Sequence, residues 1–118
     1  MRYLALIYTQ EMESTMAPEE MGAMLAEYDA FGRAAGEAGV LRGGEALAPT
    51  STATTIRVRD GQRMTTDGPF AETREALGGF YLLDCADLDQ AIEWASRIPG
   101  ASVGAVEVRP IMELDGYR

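Results

Sequence analysis

The stretch Arg2-Tyr3-Leu4-Ala5-Leu6-Ile7-Tyr8 decides the fold, because it is apolar on both sides of an extended chain. Successive side chains of a β-strand point to opposite faces, so Tyr3, Ala5 and Ile7 share one face and the residues between them share the other. Residues 79–85 repeat this pattern. Strands of this kind need a cover on both faces, so the sheet that contains them has neither face free for water.

The elements around these two strands follow the order β-α-β-(hairpin)-β-α-β. Apolar spacing, turn residues and caps predict them along the chain as a helix from about Pro18 to Gly39, a strand at 40–47, a hairpin at Thr54 to Thr66, a helix capped by Asp87 and Gln90 and ended by Pro99, and a strand at 105–112. Right-handed crossovers place both helices on one face of an antiparallel sheet. The sequence therefore predicts one α+β domain over residues 1–118 with the split-βαβ, ferredoxin-like arrangement.

The hairpin turn lies at Asp60-Gly61, and its loop length decides which residues share a face. A two-residue turn would mix apolar and charged side chains on each face. A three-residue loop with Gly61 left-handed pairs Val58 with Gln62 and Ile56 with Met64. The pattern favours the three-residue loop.

Two helices cover only one face of the predicted sheet, so the second face needs another cover. A second copy of the same sheet is the simplest supply, and we expect a homodimer with its sheets packed face to face as an α+β barrel. The alternative is a monomer whose hairpin 54–66 folds over that face.

Composition excludes several classes of function. The net charge is −9 and all ten basic residues are arginine, so a nucleic-acid partner is not expected. The chain contains no histidine and one cysteine, which excludes catalytic sites built on histidine and a disulfide within the chain. Neither a metal nor another cofactor is predicted. The chain has no apolar run long enough to span a membrane, and we expect a cytoplasmic protein with Cys85 as a packed thiol.

The segment Thr66-Asp67-Gly68-Pro69-Phe70-Ala71-Glu72-Thr73-Arg74-Glu75 resembles the signature of the YCII-related, DGPF-domain family, Asp-Gly-Pro-Phe-Ala-Glu-Thr-Lys-Glu. Arg74 stands at the lysine position, which keeps the charge. Other stretches are also similar to that family: 43–47, 52–57, 78–81 and 106–110. We refer to residues 66–75 as the signature segment.

The resemblance implies the dimeric α+β-barrel superfamily, in agreement with the pattern of the strands. It brings no established reaction. Some relatives carry a His–Asp pair that has been proposed as catalytic, and this chain has no histidine to match it. Because family members are often encoded beside extracytoplasmic-function sigma factors, the resemblance also implies an accessory role in regulation.

Asp67 and Glu45 are the candidate catalytic residues. Asp67 would act as an acid or base if burial or a neighbouring carboxylate raised its pKa. Alternatively it caps backbone N–H groups of its own turn. Strand parity puts Glu45 on the apolar face of its strand, unless a bulge at Gly43-Gly44 returns it to solvent.

Gly68, Pro69, Phe70 and Arg109 are the candidate ligand-binding residues. Residues 67–78 would form a loop with one helical turn at 72–77. Its part 67–70 would border a pocket between helices and sheet, and Phe70 would anchor the loop in the core. Arg109 would bind an anionic ligand with its planar fork, or form an ion pair with Glu45 or Asp67 at the dimer interface.

Three hypotheses of function follow from these observations. The first is a homodimer that binds a small-molecule ligand or acts as an accessory protein in sigma-factor regulation. The second is a cofactor-free isomerase or lyase with a carboxylate as general acid or base. The third is an interaction module with a purely structural role.

Overall fold

The computed structural model describes residues 1–11 and 16–114 and has two sheets and three α-helices. Its elements are, in chain order, β1 (Arg2–Thr9), α1 (Pro18–Glu37), β2 (Leu41–Ala46), a 3₁₀ helix (Thr50–Thr52), β3 (Thr54–Arg59), β4 (Gln62–Asp67), β5 (Ala76–Asp84), α2 (Leu88–Ala95), α3 (Gly100–Val103) and β6 (Ala105–Pro110).

Four strands form the main sheet in the order β2-β5-β1-β6, and every neighbouring pair in it is antiparallel. The two strands that are apolar on both faces, β1 and β5, lie side by side in the middle. This arrangement is compatible with a ferredoxin-like α+β fold, and the predicted fold class is confirmed. β3 and β4 form a separate two-stranded sheet.

The hydrophobic core lies on one face of the main sheet. Tyr3, Ala5 and Ile7 of β1 are buried there against Phe31 and Ala35 of α1, and against Ala91, Ala95 and Ile98 of α2 and the turn after it. Both α2 residues of this core are alanines. The 19 Å thickness of the molecule accommodates a layer of helices on a layer of strands, since packed layers are about 10 Å apart.

The opposite face of the sheet carries Leu4 and Leu6 of β1 beside Leu82 and Phe80 of β5. We call these four side chains the open face. They are partly exposed, whereas their neighbours along each strand face the helices. The hairpin does not fold over them. This follows from the exposure of its own apolar residues, which such a contact would bury. The hairpin cover that the monomeric alternative requires is therefore not observed.

The hairpin has a two-residue turn, so the predicted register was wrong. Val58 pairs with Arg63 and Ile56 with Thr65. Asp60 and Gly61 have φ of 53° and 75°, which is typical of the type I′ turn whose twist matches that of paired strands. The prediction assumed that apolar residues must share a face. Here both faces are exposed, so nothing in this chain penalises a mixture.

The hairpin projects from the body, which makes the molecule extended. The Cα radius of gyration is 16.4 Å, whereas a compact domain of this length has about 13.5 Å. We call residues Thr54–Asp67 the hairpin arm. Its base continues into the signature segment, where Gly68 N–H donates to the Ala53 carbonyl at 2.7 Å.

The predicted helical turn at 72–77 was also wrong. Bends follow Gly68, and β5 begins at Ala76, three residues before the predicted start of that strand. The Thr73 hydroxyl donates to the Glu75 carbonyl at 2.6 Å, an arrangement that folds the chain locally without helical hydrogen bonds.

Candidate functional site

Glu45 is exposed, as the bulge hypothesis predicts, although the bulge lies one residue earlier than expected. The register between β2 and β5 shifts between Leu41 and Gly43. Leu41 consequently points to the helices, while Glu45 pairs with Phe80 and lies at the edge of the open face. Because Glu45 is not buried, the carboxylate pays no desolvation cost that would demand a buried partner.

Asp67 is the last residue of β4 and lies opposite Thr54 at the base of the hairpin arm. Its side chain is exposed, and the described part of the chain provides its carboxylate with no hydrogen bond. The arrangement therefore lacks the backbone N–H bonds of the predicted turn cap. It equally lacks the enclosure that would adapt a carboxylate for acid–base chemistry.

The signature segment is fixed at its start and exposed at its centre. Gly68 has φ of 99°, a conformation that a side chain would strain, and its carbonyl accepts from the Thr55 hydroxyl at 2.8 Å. Pro69 is half-buried. Phe70 is 78% exposed, so the prediction that it anchors the loop in the core was wrong.

A cleft of about 1160 Å³ lies beside this segment, and we call it the loop cleft. Gly68, Pro69 and Phe70 line it on one side. The loop after β2, the 3₁₀ helix and the base of the hairpin arm line it on the other. Phe70 thus lies at the wall of a cleft and not in the core. Leu47 and Leu77, two further exposed apolar side chains, also line this cleft.

The lining of the loop cleft is apolar and hydroxylic. Glu72 is the one carboxylate among its described lining residues, and those residues include no arginine. The hydroxyl-bearing ones are Thr50, Ser51, Thr52, Thr54, Thr55 and Thr73, with the phenol of Tyr8. Such a surface suits apolar groups and uncharged hydrogen-bonding groups. It has no cation that would attract an anion.

Glu11 holds the 3₁₀ helix that forms part of this wall. Its carboxylate accepts hydrogen bonds from the Thr50 hydroxyl and from the Thr50 backbone N–H, the latter at 2.7 Å. These bonds lower the pKa of Glu11, because they stabilise the charged form. Glu11, which precedes α1, thereby fixes the position of the 3₁₀ helix that follows β2.

A second cleft of about 370 Å³ lies between α1 and the β2 edge of the main sheet, and we call it the helix cleft. Tyr28 of α1 and Tyr81 of β5 line it together with Glu45. Burial raises the pKa of both phenols. Phe31 packs on Tyr81 with ring centroids 4.9 Å apart. Leu47 lines both clefts, so they adjoin there.

The candidate residues do not converge on one site. Gly68, Pro69 and Phe70 line the loop cleft, Glu45 lines the helix cleft, and Asp67 lines neither. Arg109 lies on β6, opposite Leu4, and also lines neither cleft. The predicted single pocket between helices and sheet with residues 67–70 at its border is not observed: the helix cleft lacks these residues, and the loop cleft lies away from α1 and α2.

Arg109 and Glu45 lie on the same sheet face but on opposite edge strands. β5 and β1 separate their strands, so three strand spacings of about 4.8 Å, roughly 14 Å in all, lie between them. Within one subunit this distance is too long for an ion pair. In the described residues Arg109 has no carboxylate partner.

The described residues contain no group of three or more acidic or cysteine side chains arranged to hold a metal ion. None of the described helices is both long and apolar enough to cross a membrane. Cys85, the one cysteine, is buried, and burial and the Asp84 charge raise the pKa of its thiol.

Sequence reasoning missed Leu47, Leu77, Glu11 and the two tyrosines. Leu47 was assigned to the end of the strand at 40–47. Its exposure depends on the course of the following loop, which no local pattern predicts. The pair Glu11 and Thr50 is separated by 39 residues, and no local pattern links them. Tyr28 and Tyr81 resemble ordinary core residues in sequence, and only packing shows that both face a cleft.

Comparison with known proteins places the chain in a family. The family model of the YCII-related domain matches residues 1–115. An uncharacterised protein of Rhizobium meliloti (strain 1021) is 42% identical over 114 residues, which cover 94% of this chain and 92% of that protein. A match over nearly the whole length confirms the resemblance inferred from the signature segment: the chain belongs to the YCII-related domain family.

Proposed function

We propose that this protein is a homodimer that binds a small, uncharged and mainly apolar organic molecule in the loop cleft. The observation that carries the proposal is the exposure of Phe70, Leu47 and Leu77 around one cleft of about 1160 Å³. Exposed apolar side chains that gather around a concave surface are typical of a ligand site.

The chemistry of the lining limits the ligand further. Serine and threonine hydroxyls can hydrogen-bond to carbonyl, hydroxyl or amide groups of a ligand, and Phe70 can stack on a ring. Glu72 would repel an anion, and the described residues that line the cleft include no arginine to offset that repulsion. The ligand class is therefore a neutral molecule with an apolar body and a few polar groups.

The open face supports the homodimer. Leu4, Leu6, Phe80 and Leu82 form a contiguous apolar patch in the middle of the sheet. Two helices occupy the other face, and the thickness of 19 Å leaves no third layer among the residues that the structure describes. A second copy would bury the same patch of both subunits in one two-fold interface.

Charges at the two edges of the open face are complementary. Arg109 lies at one edge and Glu45 at the other, too far apart to pair within a subunit. A two-fold axis parallel to the strands would bring β6 of one subunit over β2 of the other. Arg109 would then approach Glu45 of the partner subunit.

A thermal-shift screen of neutral metabolites tests ligand binding. A ligand at one hundred times its Kd stabilises the native state by about 2.7 kcal/mol, which raises the Tm of a small domain by several degrees. We expect Phe70→Ala to weaken binding at least tenfold, since it removes the largest apolar contact of the cleft.

The matched control is Val103→Ala, because Val103 is 77% exposed but lines neither cleft. It should bind as the unmodified protein does. If ligands shift the Tm equally in both variants, the loop cleft is not their site and the proposal is wrong.

The second candidate is a cofactor-free isomerase or lyase that acts in the helix cleft. Glu45 borders that cleft, but its side chain lies on the Phe80 face of the sheet, so it would have to turn around the β2 edge towards the two phenols to serve as the base. Turnover that Glu45→Gln abolishes and Asp67→Asn leaves unchanged would favour it. The accessory role in sigma-factor regulation stays a prediction.

A further inference from the structure

We infer that the hairpin arm is an intersubunit arm, and that its Ile56–Val58 face docks on the body of a second copy of this chain. The inference rests on the homodimer proposed above and adds a contact surface separate from the open face. It also gives the partner a part in the ligand site, because the base of the arm lines the loop cleft.

The arm exposes apolar side chains that its own chain does not cover. Ile56 is 61% exposed and Val58 is 58% exposed. The register places both on the same side of the arm. Their cross-strand partners, Thr65 and Arg63, lie on that side too. Met64 lies on the other side, opposite Arg57.

A two-stranded hairpin is marginally stable in water by itself. This arm nevertheless has a defined turn at Asp60-Gly61 and a regular ladder of six pairs. It does not pair with the main sheet, and it extends the molecule well beyond the size of a compact domain. A regular, projecting hairpin with exposed apolar side chains on one side is explained if a surface outside its own chain covers that side.

The opposite charges of the arm and of the rest of the chain favour a second copy as the surface that covers the arm. The arm carries three arginines and two aspartates, so it is net positive, whereas the whole chain carries −9. The rest of a second copy is therefore strongly acidic and attracts the arm. Arg63 lies on the docking side beside Val58, where it can reach a carboxylate of the partner.

Docking of the arm would couple assembly to the ligand site. Thr54 and Thr55 begin the arm and also line the loop cleft. A partner that holds the arm would fix this wall, since the Thr55 hydroxyl donates to the carbonyl of Gly68 in the signature segment. The loop cleft would then be complete only in the dimer.

Sedimentation equilibrium tests the docking side of the arm. Replacing Ile56 and Val58 together by Ser should raise the dimer Kd at least tenfold, because two apolar contacts are lost. Met64→Ser is the matched control, since Met64 is exposed on the opposite side of the same hairpin. Its dimer Kd should not change. Circular dichroism should show that both variants keep the fold of the body.

Crosslinking identifies the occupant directly. Val58→Cys is labelled with a photoactivatable group, while buried Cys85 is protected from the reagent. Equal amounts of ¹⁴N and ¹⁵N protein are mixed, and mass spectrometry separates crosslinks between copies from those within one copy. We expect crosslinks that join light to heavy peptides.

The outcomes separate the arm from the dimer. If the unmodified protein is a dimer but the double variant Ile56→Ser, Val58→Ser dimerises as well as Met64→Ser, the arm inference is wrong and the homodimer stands. Crosslinks that occur only within one copy also overturn the arm inference. Protection of the label by duplex DNA, in place of crosslinking to a second copy, would assign the arm to nucleic acid. If the unmodified protein is monomeric, both proposals fail.

Discussion

At the scale of single residues, two adjacent glycines of β2 differ in what surrounds them. A Cβ at Gly44 would lie 2.6 Å from Cδ1 of Tyr81 and 2.7 Å from the Phe80 carbonyl oxygen. A Cβ at Gly43 would meet nothing within 4 Å. The sequence offered both as a bulge signal and could not distinguish them.

Gly44→Ala should therefore destabilise the fold by about 1–3 kcal/mol, because a carbonyl oxygen in a strand cannot move aside cheaply. Gly43→Ala is the control and should change the free energy of unfolding by less than about 0.5 kcal/mol. Urea unfolding of both variants at one protein concentration measures the difference. Equal stabilities would contradict the close packing of Gly44 on β5.

Glu11 supplies a second prediction at this scale. Hydrogen bonds from Thr50 lower its pKa, so they contribute stability above the ordinary glutamate pKa that is lost as pH falls through the lowered value. Carboxyl ¹³C NMR should show Glu11 titrating below its ordinary value. Thr50→Val removes the hydroxyl donor and keeps the backbone donor, so the pKa should rise part of the way back. An ordinary pKa in the unmodified protein would contradict the contact.

The candidate site residues show how far the sequence reaches. The signature segment identified one wall of the loop cleft, because its glycine and proline indicate a special backbone. The prediction for Phe70 was wrong, because an aromatic side chain in a loop can equally well pack into the core or line a ligand cleft. The exposure of Asp67 and Glu45 depends on strand register, which one bulge can invert.

At the scale of elements, Asp87 caps α2 as its sequence predicts, whereas Gln90 bonds one residue before the N-cap, so the capping box is not the standard one. The Asp87 carboxylate accepts from Gln90 N–H at 2.9 Å, and the Gln90 side chain accepts from Ala86 N–H at 2.6 Å. Asp87→Ala should cost about 1 kcal/mol of unfolding free energy. Asp89→Ala, in the same first turn without this bond, should cost less. Equal costs in thermal or urea unfolding would show that the cap bond contributes nothing.

The elements themselves were predictable because most are fixed by local patterns. β1, α1, β2, α2 and β6 all occur near the positions that apolar spacing and caps gave them. α2 ends at Ala95, before the predicted end at Pro99, the short α3 at Gly100–Val103 was not predicted, and β6 ends at Pro110, before the predicted 112. The hairpin register was not predictable, because the rule that apolar residues share a buried face has no force in an arm that exposes both faces.

At the scale of the subunit, the described residues leave several apolar surfaces uncovered. The open face, the Ile56–Val58 side of the hairpin arm and the loop cleft each expose apolar side chains. Such patches are uncommon on monomeric proteins. The sequence predicted the first of them from β1 and β5, whereas the other two depend on how the hairpin leaves the body.

Charge at the edges of the open face gives a prediction for the assembly. Arg109→Glu should weaken the dimer at least tenfold, because it would place a carboxylate against Glu45 of the partner subunit. Combining it with Glu45→Arg should restore much of the affinity, as measured by sedimentation equilibrium. Failure of the double variant to recover would show that these two residues do not meet across the interface.

The mass of the protein in solution is the most direct measurement of the central claim. Light scattering at micromolar concentration should report twice the 12.7 kDa of one chain, with Leu82→Glu shifting the population towards single chains. A particle of 12.7 kDa for the unmodified protein at that concentration would contradict the claim that a second copy covers the open face.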